Sequence, residues 1–262
     1  MIKTIESIGR SSINIFVTLR ATLLLAAGII LRLFSRRAYN SASRMVFINQ
    51  FYFTSVQILP LFLFVAVIFG TMVNGMAFQV IKNLGLTDYL GRLLMGFVVT
   101  EIAPFVTVLL IALRSGSAIN AEIAVMKVNR ELNTLKIFNI DVIDYLFVPR
   151  VMTGMLSMVL LSSLFSMTVL VTGIFISSAI FGTSVDDYTG ILLKSASLPD
   201  IVIVLIKCAT FGFFITLIPI IRGLNASEEE LTSIPVAVLN GMVRVFIAIV
   251  IIEVLSSIIR FI

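Results

Sequence analysis

The sequence predicts an all-α integral membrane protein: an amphipathic N-terminal interfacial helix, five transmembrane helices, and cytoplasmic helices between the second and third spans. Composition is the first reason. Of the 262 residues 59% are hydrophobic and 13% charged, with a mean hydropathy of +1.13, and a water-soluble globule could not cover its surface from so few polar side chains. Distribution is the second: the apolar residues gather in five runs, each reaching the ~20 residues that a helix needs to cross hydrocarbon. The basic residues are the third, because they cluster in a few segments between the runs.

Residues 1–50 make the N-terminal interfacial segment. Within 1–34 the apolar residues Ile5, Ile8, Phe16, Leu19, Leu23, Ile30 and Phe34 recur near helical spacing, with Lys3, Arg10, Arg20 and Arg32 between them. That is the pattern of a helix lying in the membrane surface. Its uninterrupted apolar stretch, 21–31, is too short to cross and is flanked by arginines; a short first span is the competing reading. No small-residue cleavage motif follows it, so the amino terminus is expected to be retained.

Residues 51–262 make the five-helix membrane domain, with spans expected near 51–81, 93–113, 151–181, 201–221 and 236–259. The first and third exceed a bilayer's thickness and need tilt, a kink or an interfacial extension, for which Pro60 and several glycines offer places. With the amino terminus inside, seven basic residues fall in 1–50, five in 114–150 and one in 222–234, against Lys82, Arg92, Lys194 and Arg260 outside. The positive-inside rule therefore puts the amino terminus in the cytoplasm and, five crossings later, the carboxyl terminus on the far side.

The connection 114–150 reads RSGSAINAEIAVMKVNRELNTLKIFNIDVIDYLFVPR. Ile119, Ile123 and Met126, then Leu132, Leu135 and Phe138, form apolar stripes beside Glu122, Lys127, Arg130, Glu131 and Lys136, and Asn139 and Pro149 punctuate the far end. One or two short amphipathic helices parallel to the membrane are expected. Such a helix either packs on its own membrane domain or fills a groove in a soluble partner; for the second role the candidates are Ile119, Glu122, Ile123, Met126, Lys127, Arg130 and Glu131.

Glu101, Lys207 and Glu253 lie inside apolar runs, where ionisable groups are costly and turn toward protein or water. Each falls eight or nine residues from the outer end of its span, roughly 12–14 Å deep at helical rise. They can share one layer, with Lys207 paired to Glu253 or Glu101 so that attraction offsets desolvation. An architectural ion pair and a part in headgroup contact or gating are both open.

Other chemistry is poorly supplied. There is no histidine, and the single cysteine, Cys208, sits in an apolar run, so neither a metal site nor an internal disulfide is expected. Adjacent Asp186 and Asp187, without a second acidic cluster, are weak support for metal-assisted catalysis, and Glu228, Glu229 and Glu230 read as a solvated loop. The net charge of +5 is not interleaved with aromatics as a nucleic-acid groove requires. No GxxxxGK[ST] pattern occurs, so the usual phosphate-cradling loop for ATP hydrolysis is missing. No catalytic residue is assigned, and no cofactor is expected in this chain.

The stretch 101–150, with its EIAP, RSGSAINAEIAVMKV and DYLFVPR elements, resembles the MlaE/YrbE family of permeases from MCE-type lipid transport systems. The likeness extends more weakly through the N-terminal helix, the five spans and the LIK of Leu205–Lys207. Two positions depart from the pattern: Thr100 stands where many relatives carry arginine, and Val142 follows Asp141 where the family often has proline. The first puts in doubt a headgroup role for an arginine there; the second alters the turn that leaves the connection. The resemblance implies a homodimeric permease in the bacterial inner membrane, with cytoplasmic ABC ATPases that hold ATP and magnesium, and a periplasmic MCE protein. A STAS-type accessory subunit is admitted as well. It also implies that 114–150 is the ATPase-coupling segment and that a lipid cavity lies at the outer end of the first span, near Val73, Met76, Phe78, Val80, Ile81, Leu84, Glu101 and Ile102. By composition alone those residues are ordinary helix packing or lipid-facing surface. The expected function is thus the permease of an ATP-driven lipid, and specifically phospholipid, transporter. An ion-coupled carrier or channel, with the buried charges as its pathway, is the alternative.

Overall fold

A computed structural model of the chain describes residues 20, 22–33, 40–85, 89–182, 184–227 and 233–261. Most of the predicted N-terminal helix, including Lys3, Ile5, Ile8, Arg10, Phe16, Leu19 and Phe34, lies outside the described residues, as do Glu228, Glu229 and Glu230. The described residues hold a short apolar helix, α1 (Thr22–Leu33), and five helices long and apolar enough to cross a membrane: α2 (Ser41–Leu84), α3 (Leu90–Val128), α5 (Ile143–Ile180), α7 (Leu198–Leu224) and α8 (Ser233–Arg260). Two shorter helices join them, α4 (Glu131–Ile137) and α6 (Val185–Ser195).

The helices outrun the apolar runs that predict them. The first begins at Ser41 instead of near residue 51, because nothing in Ser41–Phe51 breaks a helix and the polar residues there sit at its exposed end. The second continues to Val128, so the first part of the 114–150 connection is not a separate helix but the last turns of the second span. Helix α6 lies between the expected third and fourth spans. Its start is fixed by Ser184, whose Oγ accepts from the Asp187 N–H at 3.0 Å, with Asp186 and Asp187 in the positive first turn.

Three of the long helices widen to π-helical geometry just before a proline. The wide stretches are Tyr52–Val56, Leu94–Ile102 and Ile143–Phe147, and the α-helical stretches that follow start with Pro60, Pro104 and Pro149 in their first turn. Proline brings no N–H and its ring crowds the carbonyl four residues back, so the backbone upstream expands to re-pair. A fourth wide turn, Ala112–Gly116, has no proline after it.

Packing centres on α5, which lies against α2 and α7. At the α5–α7 crossing a Cβ on Gly212 would stand 2.5 Å from the Gly154 carbonyl oxygen, so the two backbones meet only because both positions are glycine. Phe62 packs edge-on to Phe165, centroids 5.6 Å apart, in the cluster that fills the spans. A second cluster closes one end of the bundle, joining Ile119, Ile123, Leu132, Phe147 and Ile220, and Ile29 docks α1 into it.

Candidate functional site

Glu101, Lys207 and Glu253 come together in the structure, and Lys207 binds both carboxylates. Its Nζ lies 2.5 Å from Glu101 Oε2 and 2.9 Å from Glu253 Oε1, with only 2% of its side chain exposed. It also donates to the Thr100 carbonyl at 3.3 Å. That carbonyl is available because Pro104, four residues on, has no N–H to give it. Helices α3, α7 and α8 each contribute one member, so the cluster ties three spans together.

Two further residues complete the site. Arg260, expected outside after five crossings, turns inward: it donates to the Gly96 carbonyl at 2.5 Å, to Thr100 Oγ1, and to Glu101 Oε1 at 3.0 Å. Asp200, at the first turn of α7, stands 3.9 Å from Arg260 Nε. A guanidinium thus reaches Thr100 from a neighbouring span. Arginine at the end of an apolar run reads as an interfacial anchor, and sequence spacing carries no trace of the contacts that Arg260 makes with the wide turn of α3.

The residues suggested for a lipid cavity at the end of α2 divide between two faces. Phe78 and Ile81 are buried, and Phe78 stacks on Tyr188 at 5.8 Å, while Met76, Val80 and Leu84 face outward and Val73 is half-buried. Glu101 and Ile102 lie on α3. Two cavities flank the charge cluster instead. One, of about 520 Å³ between α7 and α8, is apolar except for Lys207 and small hydroxyls; the other, of about 230 Å³, lies between α3, α5 and α7.

At the opposite end, the coupling candidates also separate. Ile119 and Ile123 are buried against the membrane domain, where a Cβ on Gly223 would meet Ile123 at 2.7 Å. Glu122 is half exposed and pairs at 2.5 Å with Arg150, itself 3% exposed. Met126 and Lys127 are half-buried, and Arg130 and Glu131 are exposed. The outward apolar residues here are Val125, Ile137, Phe138 and Ile140, with Phe138 71% and Ile137 82% exposed. Left-handed backbone at Arg130 and Asn139 turns the chain at both ends of α4 and presents this tip.

Below the tip, Arg32 of α1 forms an ion pair with Asp141 and donates to Asp144 at 3.2 Å. Burial pushes the Asp141 carboxyl upward, but the Arg32 hydrogen bond, the Ile143 N–H and the Arg32 charge outweigh it, and the net direction is below the ordinary carboxylate value.

A family model described as "Permease MlaE" matches residues 47–259. Among curated proteins, the chain is 30% identical over 185 residues to Protein TRIGALACTOSYLDIACYLGLYCEROL 1, chloroplastic, of Arabidopsis thaliana, covering 66% of this chain and 52% of that one. It is 31% identical over 167 residues to a probable ABC transporter permease protein of Synechocystis sp., covering 63% and 64%. To the intermembrane phospholipid transport system permease protein MlaE of Haemophilus influenzae it is 28% identical over 177 residues, covering 67% and 68%. The chain therefore spans about half to two thirds of the length of these relatives.

Proposed function

The chain belongs to the MlaE permease family, and from that premise we propose that it is the membrane subunit of an ATP-driven phospholipid transporter. It pairs with a second copy of itself in a bacterial inner membrane, amino terminus in the cytoplasm and carboxyl terminus in the periplasm. Separate ABC ATPase chains bind ATP and magnesium and dock on the cytoplasmic end, a periplasmic MCE protein receives or delivers the lipid, and a STAS-type subunit is compatible with the same end. This chain contributes no catalytic group.

One observation carries the reading: the single helix α3 holds Glu101 of the charge cluster near its start and the amphipathic residues 117–128 at its end. A push at the second is delivered to the first without an intervening hinge loop. The partner-facing surface is then Val125, Arg130, Glu131, Ile137 and Phe138, since Ile119 and Ile123 are inside and Glu122 is held by Arg150. The ion-carrier alternative is less well supported, because Lys207 is engaged by two carboxylates and offers no free charge to an ion path.

Purification with neighbouring gene products, followed by subunit and lipid identification by mass spectrometry, tests motor and cargo together. An ATPase and bound phospholipid are expected; a chain that captures neither, and supports proton- or sodium-driven flux alone, is an ion-coupled carrier.

A further inference from the structure

The smaller cavity beside the charge cluster has a composition that apolar packing does not explain. Its wall carries six polar side chains within about 230 Å³: Thr100, Ser162, Ser163, Ser166, Ser197 and Asp200. In a membrane-spanning bundle each such group needs a partner. Most of the hydroxyl protons are already committed. Thr100 donates to the Gly96 carbonyl at 2.6 Å, Ser163 to Val159 at 2.8 Å and Ser166 to Ser162 at 3.0 Å, so these oxygens have lone pairs left to offer. Ser162 Oγ is buried, and its side-chain contact is the weakly hydrogen-bonding Cys208 thiol.

The charges at the cavity are distributed unevenly. Lys207 is bound by Glu101 and Glu253, and Arg260 by Gly96, Thr100 and Glu101. Asp200 has Arg260 Nε at 3.9 Å as its ion-pair contact, at the outer limit of such a pair. The cavity thus presents acceptors and a weakly compensated carboxylate, while the nearby cations are occupied. That combination suits an ammonium group and disfavours an additional phosphate. Its flank is open at the side of the bundle, where Ser163, Met167, Ile201 and Leu205 are exposed on α5 and α7, which gives a headgroup a lateral way in.

We propose that this cleft between α3, α5 and α7 is a headgroup site selective for phospholipids carrying a primary amine. The site rests on the lipid-transport reading only for the identity of its ligand's source; the binding chemistry is the cleft's own.

The test uses the full chain in nanodiscs of equal phosphatidylethanolamine and phosphatidylglycerol, with retained lipids counted by native mass spectrometry. Wild type is expected to retain the amine lipid over the glycerol lipid by about tenfold, the scale of one charge-assisted contact in a partly dry site. Asp200→Asn should bring the ratio to that of the nanodisc, Asp200→Glu should keep it, and Ser163→Phe, which fills the mouth from an exposed position, should remove one retained lipid. Equal retention of both lipids by wild type, or an unchanged preference in Asp200→Asn, overturns the proposal. Displacement of the lipid by free phosphoethanolamine at comparable concentration would make this a soluble-amine site and overturn the lipid assignment. No ATPase is present in the assay, so a chain that keeps the preference yet fails to support transport refutes the transport reading alone.

Discussion

At the scale of single residues, Lys207 is the most exposed to test, because its whole environment depends on charge balance. Replacing it with Met leaves Glu253 without a cation and Glu101 with Arg260 as its remaining one, and breaking a buried pair from one side costs about 3–5 kcal/mol. Thermal melting in detergent should fall clearly for Lys207→Met and recover most of the loss in the double variant that adds Glu253→Gln, which leaves the Glu101–Arg260 pair in place. A single variant as stable as wild type would mean that the cluster does not hold α3, α7 and α8 together. Asp141 supplies a pH test at the other end. Its folded pKa lies below the ordinary value, so the stability it contributes is present above the unfolded value and is lost as pH falls through the folded one. Hydrogen exchange at α1 should therefore accelerate as pH is lowered below about 4, after correction for intrinsic rates, and Asp141→Asn should show the fast exchange at neutral pH. The sequence made Glu101, Lys207 and Glu253 legible because a charge in an apolar run is conspicuous by itself. Arg260 and Asp200 were not legible, since each sits near the end of a run where a charge is unremarkable.

Among elements, the spans were readable and their ends were not. Apolar content marks the part of a helix that faces hydrocarbon, but α2 and α3 continue past it as amphipathic turns that pack on their own bundle. Helix α6 was missed because Tyr188 is its one fully buried residue, with Ile191 and Leu192 only partly packed on the core. Tyr188 is 1% exposed and donates to Asn74 Oδ1 at 3.4 Å and to the Leu170 carbonyl at 3.3 Å, and burial pushes its phenol up to about 12. Asn74 in turn donates to Gly70 and Val169, so this one side chain fastens α6 to both α2 and α5. Tyr188→Phe keeps the stack on Phe78 and removes the hydroxyl, a loss of about 1 kcal/mol. Exchange of the α6 amides should rise roughly fivefold while the spans are unaffected. A rise spread evenly over the whole chain would show instead that α6 is not a separate opening unit.

For the whole molecule, the question is how two ends of a bundle communicate. Glu101 and Ile123 are 22 positions apart on α3, about 33 Å at 1.5 Å per residue, and at each end the same helices meet. Lys207 of α7 and Glu253 of α8 hold the first end, while Asn120 donates to the Ala237 carbonyl of α8 at 3.1 Å and Ile119 packs with Leu217 and Ile220 of α7 at the second. Three helices clamped at both ends transmit a displacement only if they stay stiff between the clamps. Between the clamps α3 is weakened at the wide turn Ala112–Gly116, whose backbone is already out of α register. Ser117→Pro removes one N–H directly after that turn and crowds the Leu113 carbonyl, costing about 3 kcal/mol of helix continuity. The variant should still capture the ATPase, because Arg130, Glu131, Ile137 and Phe138 are untouched, yet nucleotide-driven lipid transfer should drop at least tenfold while Ser117→Ala behaves as wild type. Full transfer activity in the proline variant would show that force reaches the charge cluster by another route, and α3 would then be a scaffold and not the lever.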